Sequence, residues 1–141
     1  MTLPDVNVLV CAFRPDSQHH AECRDWLDAT VNGDAAFGMS LEVLSSVVRI
    51  LTNRRIFRHP DPLDRALAFA NTLLDRPHCL TIRPGARHWG IFCGLCRETA
   101  ATGGLVADAW LAALAMESGC EWITLDRDFR RFEGLRWRAP A

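Results

Sequence analysis

Four acids fall where short apolar runs give way to longer amphipathic ones: Asp5, Glu42, Asp108 and Asp126. Asp5 closes a short strand near residues 2 to 5, and Glu42 lies in the first turn after Ser40. Asp108 lies near the start of an Ala- and Leu-rich helix, and Asp126 ends a strand read over Trp122 to Leu125. If the four converge, electrostatics decides what accompanies them. Two carboxylates about 6 Å apart repel by roughly 3 kcal/mol at an effective dielectric near 20, and four acids contain six such pairs. A fold stable by only ~5–15 kcal/mol keeps that arrangement ionised only with protons or cations to neutralise it. Oxygen donors with no His or Cys among them select Mg²⁺ or Mn²⁺ over zinc. Such a cluster suits phosphodiester hydrolysis, in which the metal lowers the pKa of a bound water and neutralises charge on the attacked phosphate. No side-chain nucleophile is required.

Each acid also has a structural explanation. Asp and Glu favour first helical turns because of the exposed N–H groups and the dipole. Asp108 is the only charge between Thr99 and Met116, so it needs a partner, and a cap is one candidate. A capping box from Ser40 would place its acid at position 43, which is Val43, so Glu42 is not there for that purpose. Asp128 stands two residues after Asp126 and could take either its role or that of a helix cap.

The elements that would position these acids alternate. Val6 to Phe13 reads as a buried helical turn or two, and Ser17 as the cap of a helix that Asn32-Gly33 stops. Ala35 to Met39 reads as a strand, Ser40 as an N-cap, and Leu41 to Leu51 as a helix apolar nearly all round and therefore buried. Pro60-Asp61-Pro62 precedes a helix over Leu63 to Leu74, then a strand over Cys79 to Ile82. Helices follow over about Ala86 to Ala101 and Leu105 to Met116. Strands separated by helices pair in parallel through right-handed crossovers. The fold class is α/β, a three-layer α/β/α domain with a central parallel β-sheet, and 141 residues suit one domain spanning 1–141.

Composition narrows the chemistry. Hydrophobic residues make up 49% and charged residues 23%, which excludes disorder and coiled coil. The formal charge is −1 and there is no Lys, which removes Schiff-base, P-loop and kinase lysine chemistry and leaves Arg for phosphates. The six cysteines lie in apolar stretches and read as reduced core residues. The start lacks signal-peptide character and no apolar run approaches the ~20 residues of a membrane helix, so a cytoplasmic location without membrane contact is expected.

Asp5-Val6-Asn7-Val8-Leu9, Glu42 opening a buried helix, Asp108-Ala109 before an Ala- and Leu-rich run, and Thr124-Leu125-Asp126-Arg127-Asp128-Phe129 occur in an order that resembles a PIN domain, particularly the VapC-type toxins of toxin–antitoxin modules. Arg49-Ile50-Leu51-Thr52-Asn53 and Arg87-His88-Trp89 resemble one branch of that group. The resemblance spans essentially the whole chain. It implies a PIN-like fold and a magnesium-dependent endoribonuclease that leaves a 5′-phosphate and a 3′-hydroxyl. It also implies a small cognate VapB-type antitoxin and a homodimer. Carried onto this chain, the acidic quartet is Asp5, Glu42, Asp108 and Asp126, with Asn7 and Thr124 at flanking polar positions. Pro4 departs from the pattern, since it cannot donate to a sheet ladder.

Other candidates carry less. Cys93-Gly94-Leu95-Cys96 has redox spacing but lies within a helix, and the five histidines show no paired metal spacing. Arg49, Arg54, Arg55 and Arg58 form one basic group after Glu42, and Arg127 with Arg130 and Arg131 another beside Asp126. They are either solvated or suited to an RNA backbone, which bare acids would repel. Single-stranded or looped RNA is favoured over duplex. Trp26, Trp110 and Trp122 read as core, whereas Trp89 and Trp137 stay open. Two competing functions remain: a metal-dependent phosphatase with Asp5 as nucleophile, which wants an acid where Asn7 stands, and a non-catalytic PIN-like protein-binding module.

Overall fold

The computed structural model describes residues 1–141. Five short parallel strands are interleaved with six helices: β1 (Thr2–Pro4), α1 (Val6–Phe13), α2 (His20–Asn32), β2 (Phe37–Ser40), α3 (Leu41–Leu51), α4 (Leu63–Leu74), β3 (Cys79–Ile82), α5 (His88–Thr99), α6 (Gly104–Ser118), β4 (Glu121–Ile123) and β5 (Trp137–Arg138). A 3₁₀ turn at Arg127–Arg131 separates β4 from β5. α1 packs on both α2 and α3, α3 on α4, and α5 lies on α6, giving the three-layer α/β/α arrangement. No helix is long and apolar enough to cross a membrane.

The sheet is not one continuous ladder. β4 pairs in parallel with both β1 and β5, β2 pairs with β3, and β2 lies beside β1 with no hydrogen-bonded register between them. Pro4 supplies the reason. The Asp5 N–H donates to Ile123 O and the Glu121 N–H to Met1 O, so odd residues of β1 face β4 and even ones face β2. On that second side Pro4 has no N–H to give. Close packing joins the halves instead: a Cβ at Gly38 would stand 2.7 Å from Ile82 Cγ1 and 3.3 Å from Leu3 Cδ1. The strand order β3-β2-β1-β4-β5 reverses between β1 and β4, the place where an open parallel sheet leaves a crevice at its carboxyl edge.

Several local expectations are corrected. Ser17 does not cap α2; its hydroxyl donates to Cys11 O and Arg14 O, and His19 stands at the N-cap without a side-chain bond. α3 is amphipathic rather than buried all round, with Val43, Leu44, Val47 and Leu51 inside while Leu41 and Glu42 are exposed. Ser40 caps it through its Oγ, which accepts from the Val43 N–H at 3.3 Å. Only Cys23 and Cys120 are fully buried, and all six cysteines are free thiols. Trp26 and Trp122 belong to the core, but Trp110 is half-buried and Trp89 is exposed. In α6 the small side chains of Ala109, Ala112, Ala113 and Ala115 are buried, which lets its backbone approach α5 and β4 closely.

Candidate active site

Asp5 follows the last residue of β1 and is the N-cap of α1. Its Oδ1 accepts from the Val6 N–H at 2.7 Å, which answers one of the helix's free donors. Its Oδ2 accepts from the Thr124 hydroxyl at 2.7 Å and from Asn7 Nδ2 at 3.3 Å. Thr124, fully buried, also accepts from the Asp126 N–H at 3.0 Å and from Asn7 Nδ2 at 3.3 Å, while Asn7 Oδ1 accepts from the Leu125 N–H at 3.1 Å. These contacts stitch the exit of β1 to the exit of β4 across the switch point. Asp126 caps the 3₁₀ turn, its Oδ1 accepting from the Asp128 N–H at 2.9 Å.

Asp5, Asp108 and Asp126 line one cavity of about 450 Å³, together with Asn7. Burial pushes the Asp5 carboxyl up to about 6, against the lowering pull of its Thr124 and Val6 hydrogen bonds, and the charges of Asp108 and Asp126 add to the rise. Asp108 is likewise raised, first by burial and then by Asp126 and Asp128. It caps nothing: α6 begins at Gly104, Gly103 is the N-cap, and the Asp108 carboxylate accepts no hydrogen bond. The capping alternative for this residue falls. Asp128 is exposed and lies outside the cavity, so of the pair Asp126 is the one that lines it.

Glu42 does not join them. Its carboxylate Oε2 accepts from Trp110 Nε1 at 2.6 Å and lies outside the cavity lining. The α3 residues that do line it are Ser46, Arg49 and Ile50. Ser46 is one turn beyond Glu42 on the same face. Helical side chains lean toward the N-terminus, so the Glu42 carboxylate is directed away from the level of Ser46 rather than toward it.

Of the basic residues, Arg49 reaches the cavity wall. Arg54, Arg55 and Arg58 are exposed on the segment after α3, and Arg127 opens onto a different cavity. That segment contributes Ile56 and Phe57 to the acid-lined cavity instead. It is held by Arg14, whose guanidinium meets Asp16 at 2.7 Å, Asp61 at 3.2 Å and His59 O at 2.8 Å, and lies 4.0 Å from the centre of the Phe57 ring. Arg14, Ser46 and Phe57 escaped the sequence reading. The only signal for Arg14 was a charge at the end of an apolar helix.

The donor set suits a hard cation: oxygen ligands alone, with a buried carboxyl whose proton affinity is raised in the way a bound cation would reverse. As the side chains stand, no three His, Cys, Asp or Glu residues are close enough together to hold a metal ion. Asp5 is drawn inward by Val6 and Thr124, and Asp126 toward its own turn.

The sequence profile of the PIN domain matches residues 2–135. The chain is 42% identical over 140 residues to ribonuclease VapC43 of Mycobacterium tuberculosis, covering 99% of this chain and 95% of that protein. It is also 42% identical to ribonuclease VapC25 of the same organism, with 99% of each chain covered. Its fold superposes on the VapBC2 complex of Rickettsia felis, bound to a promoter DNA fragment, with a TM-score of 0.68 at 14% identity, over 98% of this chain and 97% of that one. The chain therefore belongs to the PIN domain family, in company with the VapC ribonucleases.

Proposed function

We propose that this protein is the toxin of a type II toxin–antitoxin module, an endoribonuclease that hydrolyses RNA phosphodiester bonds with a bound divalent cation, Mg²⁺ or Mn²⁺. The observation that carries the reading is the convergence of Asp5, Asp108 and Asp126 on one cavity at the switch point of a PIN domain. Residues 1–141 act as one such domain in the cytoplasm, neutralised by a VapB-type antitoxin, with a homodimer as the working form.

Asp5, Asp108 and Asp126 would hold the cation. When bound, it supplies a lowered pKa for the attacking water and neutralises charge on the phosphate. The chain's own residues do the rest. Thr124 and Asn7 fix the Asp5 carboxylate through Oδ2, leaving it one orientation. Arg49, on the cavity wall, offers a guanidinium to a phosphate oxygen that the acids alone would repel. Ile50, Ile56 and Phe57 form an apolar flank beside the acids. Arg54, Arg55 and Arg58 extend positive charge outward along the same segment, where a single strand would approach.

The test is cleavage of single-stranded RNA by the purified chain with Mg²⁺, with Mn²⁺ and with EDTA, the products end-mapped for 5′-phosphate and 3′-hydroxyl termini. Cleavage with either metal and none in EDTA is the expected result. Equal cleavage in EDTA, or none in any condition, would sink the reading.

A further inference from the structure

A second cavity, about 620 Å³, borders Thr124, the residue whose hydroxyl holds Asp5. Its wall holds Arg127 and Arg130 from the 3₁₀ turn, Trp137 and Arg138 from β5, and His19 with Glu22 from the start of α2. Thr124 borders this cavity while its hydroxyl donates to Asp5 Oδ2, so the cavity adjoins the residues that hold Asp5. Consecutive residues open into different cavities, Asp126 into that of the acids and Arg127 into the basic one.

The charges here are unequally matched. Arg138 meets Glu121 at 2.8 Å and His19 lies 3.9 Å from Glu22, but Arg127 and Arg130 make no ion pair and no side-chain hydrogen bond. Two free guanidiniums beside the flat indole of Trp137, in a volume ordinary for small-molecule sites, offer an anion contact and a stacking surface together. That combination is the chemistry of a nucleotide.

We propose that this cavity is a subsite for a nucleotide of the single-stranded RNA adjoining the scissile phosphate, with Arg127 and Arg130 on its backbone phosphate and Trp137 against its base. The subsite rests on the ribonuclease reading for its substrate and adds to it where the neighbouring nucleotide goes. One phosphate sits on the acid-lined side and the next at the arginines, the consecutive residues Asp126 and Arg127 opening into the two cavities. The acidic compartment and the basic one divide cutting from holding.

Binding is read without cleavage, in EDTA, by fluorescence anisotropy of a short labelled single-stranded RNA across a salt series. The double variant Arg127→Gln with Arg130→Gln should weaken binding about tenfold or more. The slope of log affinity against log salt should fall by about 0.7, the share of the one phosphate charge that the two arginines no longer neutralise. Arg24→Gln on α2, outside both cavities, should leave affinity and slope unchanged. Unaltered affinity in the double variant overturns the subsite, and so does loss of octaglutamate binding with RNA binding intact, which gives the cavity to an acidic protein partner. A readout independent of substitution is the amide spectrum of the native chain titrated with adenosine 5′-monophosphate. Shifts at residues 124–130 and 137–138 are expected, and their absence counts against the proposal. Because neither measurement uses a metal, a chain that binds RNA in this way but cuts none would fail the nuclease reading alone.

Discussion

The exits of β1 and β4 and the first turn of α3 both carry acids, yet they are built differently. At the strand exits Asp5, Asn7, Thr124 and Asp126 share hydrogen bonds in which each side chain constrains the next. At the start of α3, Glu42 is exposed and has a single partner, the indole of Trp110. A carboxylate at a strand end inherits its direction from the sheet. One in a first helical turn points back along its own helix, so neighbours in chain order need not be neighbours at a site.

The strongest way to break this contrast is Asp108→Asn. Asp108 stands on the cavity with no hydrogen bond to lose, and its carboxyl is raised by burial and by the charges of Asp126 and Asp128. RNA cleavage rates should fall by roughly 10²–10³, the usual loss for a preorganised charge at a reacting centre. Melting without metal should be unchanged or higher, because a like-charge contact is removed. A drop of several degrees would make Asp108 a structural residue and erase the distinction.

Next in size is the pH dependence of stability. The folded protein holds the Asp5 proton up to about pH 6, whereas the unfolded chain releases it near 3.8. Stability is therefore highest below 3.8 as far as this group is concerned, falls as pH rises from about 4 to 6, and stays lower above. The difference between 3.8 and about 6 corresponds to roughly 3 kcal/mol at most. Urea melts of the metal-free chain at successive pH values should show that fall. Asp5→Asn, which removes the titrating carboxyl but leaves one oxygen for the bonds from Val6 and Thr124, should flatten it while lowering stability overall. An identical profile in the variant would mean that the buried carboxyl is not the group responsible.

How much of this was legible follows from the same contrast. Helix ends at Leu51 and Leu74 and the β3 span were readable because apolar period, caps and prolines agree there. The pairing of Asp5 with Thr124 over a separation of 119 residues was accessible only through the strand-edge rule and the family resemblance. Pro4 signalled a weak edge, and the sheet does divide there, on the side where its N–H is missing. Trp110 was misplaced because a Trp within an Ala- and Leu-rich run looks like core, and nothing local says that its N–H finds a carboxylate 68 residues away. Ser46 carried no chemical signal at all. Its place on the cavity comes from the rotation of α3 about its axis, which the packing of Val43, Val47 and Leu51 sets.

A smaller effect sharpens the strand-exit side. Thr124→Val leaves Asp5 Oδ2 and the Asp126 N–H without their shared hydroxyl in a fully buried position. The loss should be about 1–3 kcal/mol, or some 2–4 °C per kcal/mol in a domain of this size. Cleavage should fall by 10–100-fold, as for other residues that orient a ligand. Thr124→Ser keeps the hydroxyl and should recover most of both. If Val and Ser behaved alike, the hydroxyl would have no part in positioning Asp5.

The smallest effect is the most discriminating. Glu42→Gln keeps an oxygen that can accept from Trp110 Nε1 and removes only the charge. A carboxylate acting on a cation would lose most of its function in that exchange, since a neutral amide oxygen is a far weaker partner for a divalent ion. A carboxylate serving as an acceptor for an indole and as a negative charge at a helix N-terminus would lose only the second role, worth roughly 0.3–1 kcal/mol. Cleavage within about twofold of the parent, alongside the collapse in Asp108→Asn, would place the working acids at the strand exits and on α6. A loss as deep as that of Asp108→Asn would return Glu42 to the working acids, its exposed side chain leaving the Trp110 indole for the cation.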